Sequence, residues 1–303
     1  MVRLVAGGTL PMLAVLSLLP ASLTGQVPWE YRAPTEARRT ASIAARDLTE
    51  ASGLAASSAH PGVLWTIQDS GNRPDVFAID TAGAVLGRWR VSGVRNVDWE
   101  AMSIGPCGPR SCIYVGDTGD NSERRGVVSV HRFAEPLPAN ARGGGRIEEV
   151  ESLNFRYPDG AHDTEALVVR ESGEILLVSK GRSGGIRAYR LPASAWGSGE
   201  RVTAELIGIL PLPLDGLTGL VTDAALHPDG ATLVVRTYAT LYFFDLGAEG
   251  RPDPAARPVA CGILGLELQG EGVTWRDAET MALVSEAAYG MPGTVSIVRC
   301  PRD

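Results

Sequence analysis

Glu100-Ala101-Met102, Glu165-Ala166-Leu167, Asp223-Ala224-Ala225 and Glu271-Gly272-Val273 are four copies of one phrase, an acid, a small residue and an apolar residue that open a short apolar stretch. Ser52-Gly53-Leu54 is a variant fifth copy whose acid, Glu50, lies two residues upstream. The copies begin 48, 65, 58 and 48 residues apart, counting 52 to 100, 100 to 165, 165 to 223 and 223 to 271. That period is the blade length of a propeller, in which each repeat is a small sheet that cannot bury its faces alone.

The same plan recurs around each copy. Residues 63–68, 112–116, 175–179, 233–236 and 282–285 are apolar runs that predict a second strand in every module. Residues 75–80, 127–131, 185–190, 241–245 and 294–298 alternate with period two, as half-buried strands do. Turn residues punctuate them, as in His60-Pro61-Gly62, Ser172-Gly173 and His227-Pro228-Asp229-Gly230. Outer strands are expected at 85–91, 147–156, 202–210 and 259–268, but the last module ends after its third strand at Cys300. Residues 38–47 are left to supply the missing edge and close the ring. The expectation is an all-β chain, a five-bladed β-propeller over 52–303 preceded by an N-terminal segment, 26–51, that carries the closing strand. A sixth blade would have to hide in the 65-residue module or in that segment.

The 303 residues carry a net charge of -7, with 44% hydrophobic and 21% charged residues. Phosphate neutralisation needs a basic face, so nucleic acid is excluded as a partner. Residues 1–25 read as a signal peptide: Arg3 gives the positive start, an apolar run follows from Leu10 to Leu19, and small and polar residues precede a cut near Gln26. No later stretch is long and apolar enough to span a bilayer; the best, 206–221, contains Pro211, Pro213 and Asp215. A secreted or periplasmic monomer is expected. Of the three ways to pair four cysteines, Cys107 with Cys112 across a Gly-Pro turn and Cys261 with Cys300 is preferred; a zinc site lacks the usual ligand spacing.

Innermost strands line a propeller's channel, so their first residues and the ends of the second strands share one mouth. Glu100, Glu165, Asp223 and Glu271 are the candidate metal ligands there, and Asp69, Asp117, Lys180, Arg236 and Glu286 the candidate ligand-binding residues. Glu50, Asp98 and Asp163 join them. So many carboxylates cannot all ionise at close range without compensation. An ion-pair lattice through Arg236 and Lys180, the chain's one lysine, would supply it, and so would a hard cation such as calcium held by oxygens. The loop Gly116-Asp117-Thr118-Gly119-Asp120-Asn121 offers more oxygens, although it lacks EF-hand spacing. His162, beside Asp163, is the histidine placed to act as a base, and these two are the catalytic candidates. The literal GxSxG at 181–185 lies between two strands, not between a strand and a helix, and reads as a hairpin.

Asp98-Trp99-Glu100, then Tyr114-Val115-Gly116-Asp117-Thr118-Gly119-Asp120-Asn121, then Tyr157-Pro158-Asp159-Gly160 with Asp163-Thr164-Glu165-Ala166-Leu167, and lastly Val235-Arg236-Thr237-Tyr238 resemble a family of secreted bacterial β-propeller proteins without a settled activity. The chain is more distantly similar to the NHL, TolB-like and esterase-like phytase propellers. Those groups hold both binding modules and calcium-dependent hydrolases, so two functions are carried forward. One is an exported propeller that binds a small polar or anionic ligand, or a protein partner, at the mouth, with calcium. The other is a calcium-dependent hydrolase of phosphoesters, esters or lactones in which Lys180 or Arg236 receives an anionic group. Ser52, where other modules place an acid, departs from a strict repeat.

Overall fold

A computed structural model describes residues 29–302 apart from 46, 137–142, 200, 215, 248 and 254–258. The leader at 1–25 and the cut near Gln26 lie outside the described residues. Strands β1 (Glu30–Arg32) and β2 (Glu36–Ser42) precede the first repeat. Blade 1 is β3 (Ala51–Ala56), β4 (Val63–Gln68), β5 (Asp75–Asp80) and β6 (Val85–Val91). Blade 2 contains β7 (Trp99–Cys107), β8 (Arg110–Asp117) and β9 (Val128–Ala134); after β10 (Gly143–Ile147), β11 (Glu151–Arg156) completes it. Blade 3 has β12 (Thr164–Val169), β13 (Ile175–Ser179) and β14 (Ile186–Leu191), and after β15 (Val202–Thr203), β16 (Glu205–Leu210). Blade 4 is β17 (Val221–Leu226), β18 (Thr232–Thr237), β19 (Thr240–Asp245) and β20 (Val259–Gly262). Blade 5 is β21 (Gly270–Trp275), β22 (Met281–Ser285) and β23 (Thr294–Arg299), and β2 pairs antiparallel with β23 to become its fourth strand.

The ring closes through five apolar seams. Trp65 and Trp89 of blade 1 meet Trp99 and Val115 of blade 2, and Tyr114 and Phe155 of blade 2 meet Leu177 and Tyr189 of blade 3. Val168 and Val178 meet Val221 and Phe244, Val234 and Phe243 meet Trp275 and Leu283, and Val284 and Ile297 meet Leu54 and Phe77 of blade 1. Both faces of each second strand are therefore buried, which accounts for apolar runs such as Val63–Gln68 and Met281–Ser285 without alternation. This is a five-bladed β-propeller, closed by the N-terminal strand.

Two expected outer strands are divided. Of residues 147–156, only Ile147 belongs to β10, which runs parallel to β6 on blade 1, and 151–156 form β11. Residues 202–210 break into β15, parallel to β11 on blade 2, and β16. Similarly β1 lies parallel to β20 on blade 4. Each detour satisfies backbone groups that would otherwise stand open at a sheet edge. Disulfides join Cys107 to Cys112 across the β7–β8 turn and Cys261 to Cys300, tying blade 4 to the end of blade 5. No described helix is long and apolar enough to cross a membrane.

Candidate functional site

The repeated phrase coincides with a structural irregularity. In all five blades the register of the innermost strand against the second strand shifts at the same rung: between Ala51 and Leu54, Trp99 and Ala101, Thr164 and Ala166, Val221 and Asp223, and Gly270 and Val273. A bulge re-aims the extra residue. The extra residues are Ser52, Glu100, Glu165, Thr222 and Glu271, all buried. The next position is small because the inner strands converge: a Cβ on Gly53 would fall 2.6 Å from the Met102 nitrogen, and one on Gly272 2.6 Å from the Leu54 Cβ.

Blade 4 is therefore out of phase with its sequence. Thr222, not Asp223, is the counterpart of Glu100, and its Oγ1 donates to the Glu271 carbonyl at 3.0 Å as Ser52 Oγ donates to the Glu100 carbonyl at 2.9 Å. Asp223 stands at the small-residue position. Its carboxylate accepts the backbone N–H groups of Ala224 and Val273, each at 2.8 Å, and that of Leu54 in blade 1. Burial, opposed by these donors, holds its proton affinity well above the usual carboxylate range. Asp223 is a clasp among blades 4, 5 and 1.

Several other sequence candidates have assigned partners. Arg236, fully buried, donates to the carbonyls of Gly272 at 2.5 Å and Val284 at 3.1 Å and pairs with Glu267. Asp117 accepts from Val97 N at 3.2 Å, Asp98 N at 3.3 Å and Arg125 Nη2 at 2.6 Å. Asp163 accepts Asp120 N at 2.8 Å and pairs with Arg182. His162 is buried against Tyr157 and Tyr189, its Nε2 3.2 Å from Asp159 Oδ1. Asp163 thus fastens the 117–125 loop of blade 2 to blade 3, while both ring nitrogens of His162 are buried without a hydrogen-bond partner.

The acids left over share the mouth. Lys180 Nζ lies 2.5 Å from Glu165 Oε1, while Glu165 Oε2 is buried without a partner. Burial alone would lower the Lys180 ammonium, but Glu165 and Glu100 hold it raised. Burial pushes Glu165 up to about 8 despite Lys180. Glu271 is pushed up to about 8 by burial and then by Glu286, which itself rises to about 7 through burial, Asp69 and Glu50. Tyr238, part of the Val235-Arg236-Thr237-Tyr238 motif but not among the candidate site residues, is raised by burial and by Glu271.

Across the mouth, Asp69, Asp98 and Glu100 bring ligand oxygens within 4.8 Å of one another. Asp98 Oδ1 is buried without a hydrogen-bond partner, and burial followed by Asp69 pushes this acid up to about 6. Glu100 rises well above its usual range through burial and then Glu165. Gly119 packs directly against the cluster, since a Cβ there would fall 2.5 Å from Asp98 Cγ and 2.7 Å from Glu100 Cγ. The cluster could hold a metal ion. Its signal in the sequence was the spacing of Asp98 and Glu100 about Trp99; Asp69 arrives from the neighbouring blade.

The fold and this polar mouth define a five-bladed propeller with an acidic axial site. No protein-family model matches the chain, and no curated protein sequence matches it. It is distantly similar to solved propellers. The PQQ-bound aldose sugar dehydrogenase of Streptomyces coelicolor shares 12% identity, with 88% of this chain and 99% of that one covered and a TM-score of 0.49. The Cps50 (Swd1) β-propeller domain of Myceliophteria thermophila shares 13%, covering 83% and 84%, at 0.41. Virginiamycin B lyase of Staphylococcus aureus shares 12%, covering 82% and 66%, at 0.39. No functional residue is carried across at such distances.

Proposed function

We propose that the chain is an exported binding propeller that holds a calcium ion at Asp69, Asp98 and Glu100 and, with it, a small polar ligand at the mouth. The observation that carries this reading is the convergence of three carboxylates within 4.8 Å, one of which, Asp98, keeps a buried oxygen without a partner. All donors are oxygens, the set that hard cations select. Glu165 and Glu271 remain near the site as buried acids, and Lys180 partly offsets them. Two disulfides and the apolar leader support export. Hydrolysis would require a base beside the cation; Asp163 is taken up by Asp120 N and Arg182, and His162 packs against Tyr157 and Tyr189 beside Asp159, so binding is preferred to catalysis.

Calorimetric titration of calcium into the chelator-treated protein tests the reading. One ion per chain is expected, and calcium at 100 times its Kd should stabilise the fold by about 2.7 kcal/mol. For a chain of this size that raises Tm by roughly 4–5 °C. Asp98→Asn should weaken binding at least about tenfold through loss of a charged ligand. Absence of both heat and a Tm change on adding calcium or chelator would overturn it.

A further inference from the structure

Exposed apolar side chains are not spread evenly over the ring. Among the described residues, three of the large ones, Tyr31, Leu206 and Ile209, lie on the outer edges of blades 4 and 3. All the others stand on loops that lead into an innermost strand or out of a second strand, which is the mouth face, and none stands on the opposite face. Four of them flank blade 5: Leu264 and Leu268 in the β20–β21 loop, Tyr289 and Met291 in the β22–β23 loop. Those two loops are fastened together, since Glu286 N donates to the Gln269 carbonyl at 2.9 Å and Gln269 Nε2 to Glu286 Oε2 at 2.5 Å. The second loop is also tied to the segment before blade 1, Ala287 N donating to the Thr49 carbonyl and Ile43 N to the Gly293 carbonyl, each at 2.8 Å. Between that loop and that segment lies a mostly apolar cavity of about 430 Å³ whose walls include Ile43, Leu48, Met291 and Pro292.

Tyr289 stands at the tip. Ala288 and Met291 exchange backbone hydrogen bonds at 3.0 and 2.9 Å, so Tyr289 and Gly290 form a two-residue turn with φ of 53° and 78°. A turn of this hand prefers Asn-Gly, because a bulky side chain is strained at positive φ. Tyr289 is nevertheless there, and it is 94% exposed. The ring serves neither the turn nor the core. Tyrosine and methionine gathered around an apolar cavity have the composition of an interface centre.

The neighbouring charges select the partner. Glu50 follows the cavity residue Thr49, and Glu286 precedes the cavity residue Ala287. Burial, then Asp69 and Glu50, raise the proton affinity of Glu286, so like charges crowd this side of the cavity. A second copy would bring the same acids and a net charge of -7 against them, and an anionic lipid surface would meet the same repulsion. A cationic side chain would be drawn in.

We infer that the mouth face of blade 5 docks a second protein, which seats an apolar side chain in the cavity against Leu48 and Met291, packs on Tyr289, and sets a lysine or arginine beside Glu50 and Glu286. The surface borders the cation cluster and does not need the ion.

The test selects displayed random dodecapeptides on wild-type protein in chelator and titrates the recovered peptides, synthesised, into wild type, M291D, Y289N and the double variant E50Q/E286Q. Recovered peptides are expected to join an apolar residue to a lysine or arginine, and each variant should weaken their binding about tenfold or more, as loss of an interface centre does. Tm of Y289N should equal that of wild type or exceed it by up to about 2 °C, because Asn-Gly suits the turn. Recovery of no peptide, peptides without a cationic residue, affinity within about twofold of wild type in any variant, or a Tm of Y289N lower by more than about 3 °C overturns the inference. So does a wild-type dimer that M291D dissociates in sedimentation, which assigns the face to a second copy. Flotation of wild type, but not M291D, with phosphatidylcholine–phosphatidylglycerol vesicles overturns it in favour of a membrane. Peptide binding is read in chelator, so its failure is distinct from failure to bind calcium.

Discussion

Metal-free protein should lose stability as pH rises from 5 to 8, and Glu271 provides the sharpest test. Its carboxyl is raised from 4.5 to about 8 in the folded chain, first by burial and then by Glu286. A raised folded value means that the folded state binds the proton more tightly than the unfolded state. Stability from this group is complete below about 4.5 and is lost as pH climbs through about 8. Integrating between pH 5 and 8 with those two values gives a loss on the order of 3–4 kcal/mol from this residue. Glu271→Gln keeps the shape and removes the titration. Guanidinium unfolding at pH 5, 6, 7 and 8 in chelator should show wild-type stability falling with pH and a shallower fall in the variant. The difference between the two proteins should change by roughly 3–4 kcal/mol over that range. Wild-type stability that rises with pH, or parallel slopes in the two proteins, would refute the assignment of a buried, proton-holding acid at the mouth.

Asp223→Ala should destabilise the fold by about 3–5 kcal/mol in guanidinium unfolding, because backbone donors from three blades lose their acceptor at once. A loss under about 1 kcal/mol would contradict the clasp. Replacing Cys261 and Cys300 by serine should cost about 4 kcal/mol and replacing Cys107 and Cys112 about 2 kcal/mol, since the loops they close span 39 and 5 residues. Thermal unfolding that ranks the pairs in the reverse order would count against this account.

The ring was legible because its geometry forces a local pattern. Five strands meeting at one axis leave no room for a Cβ at Gly53 or Gly272, and the second strand of each blade is apolar on both faces, so small residues and apolar runs recur at blade intervals. What depends on pairing across the ring was not legible. Asp223 matches the repeated phrase as text, yet the bulge falls one residue earlier, at Thr222, and no propensity of either residue marks that slip. The parallel detours of β10 and β15 answer to open edges on the preceding blades, which no local window contains.

The same limit applies to the mouth, where Asp69 and Asp117 end their second strands in like fashion and carry the same chemistry in the sequence. Their fates differ because of what the following loop can return to them. The loop after Asp117 runs through 118–127, long enough to fold back so that Arg125 reaches its carboxylate, while Val97 and Asp98 donate backbone N–H groups. The loop after Asp69 spans only 70–74, and its carboxylate takes the N–H of the next residue, Ser70. An acid whose loop supplies counter-charge becomes part of the scaffold. One whose loop does not is left, beside Asp98 and Glu100, in the cluster that could hold a metal ion.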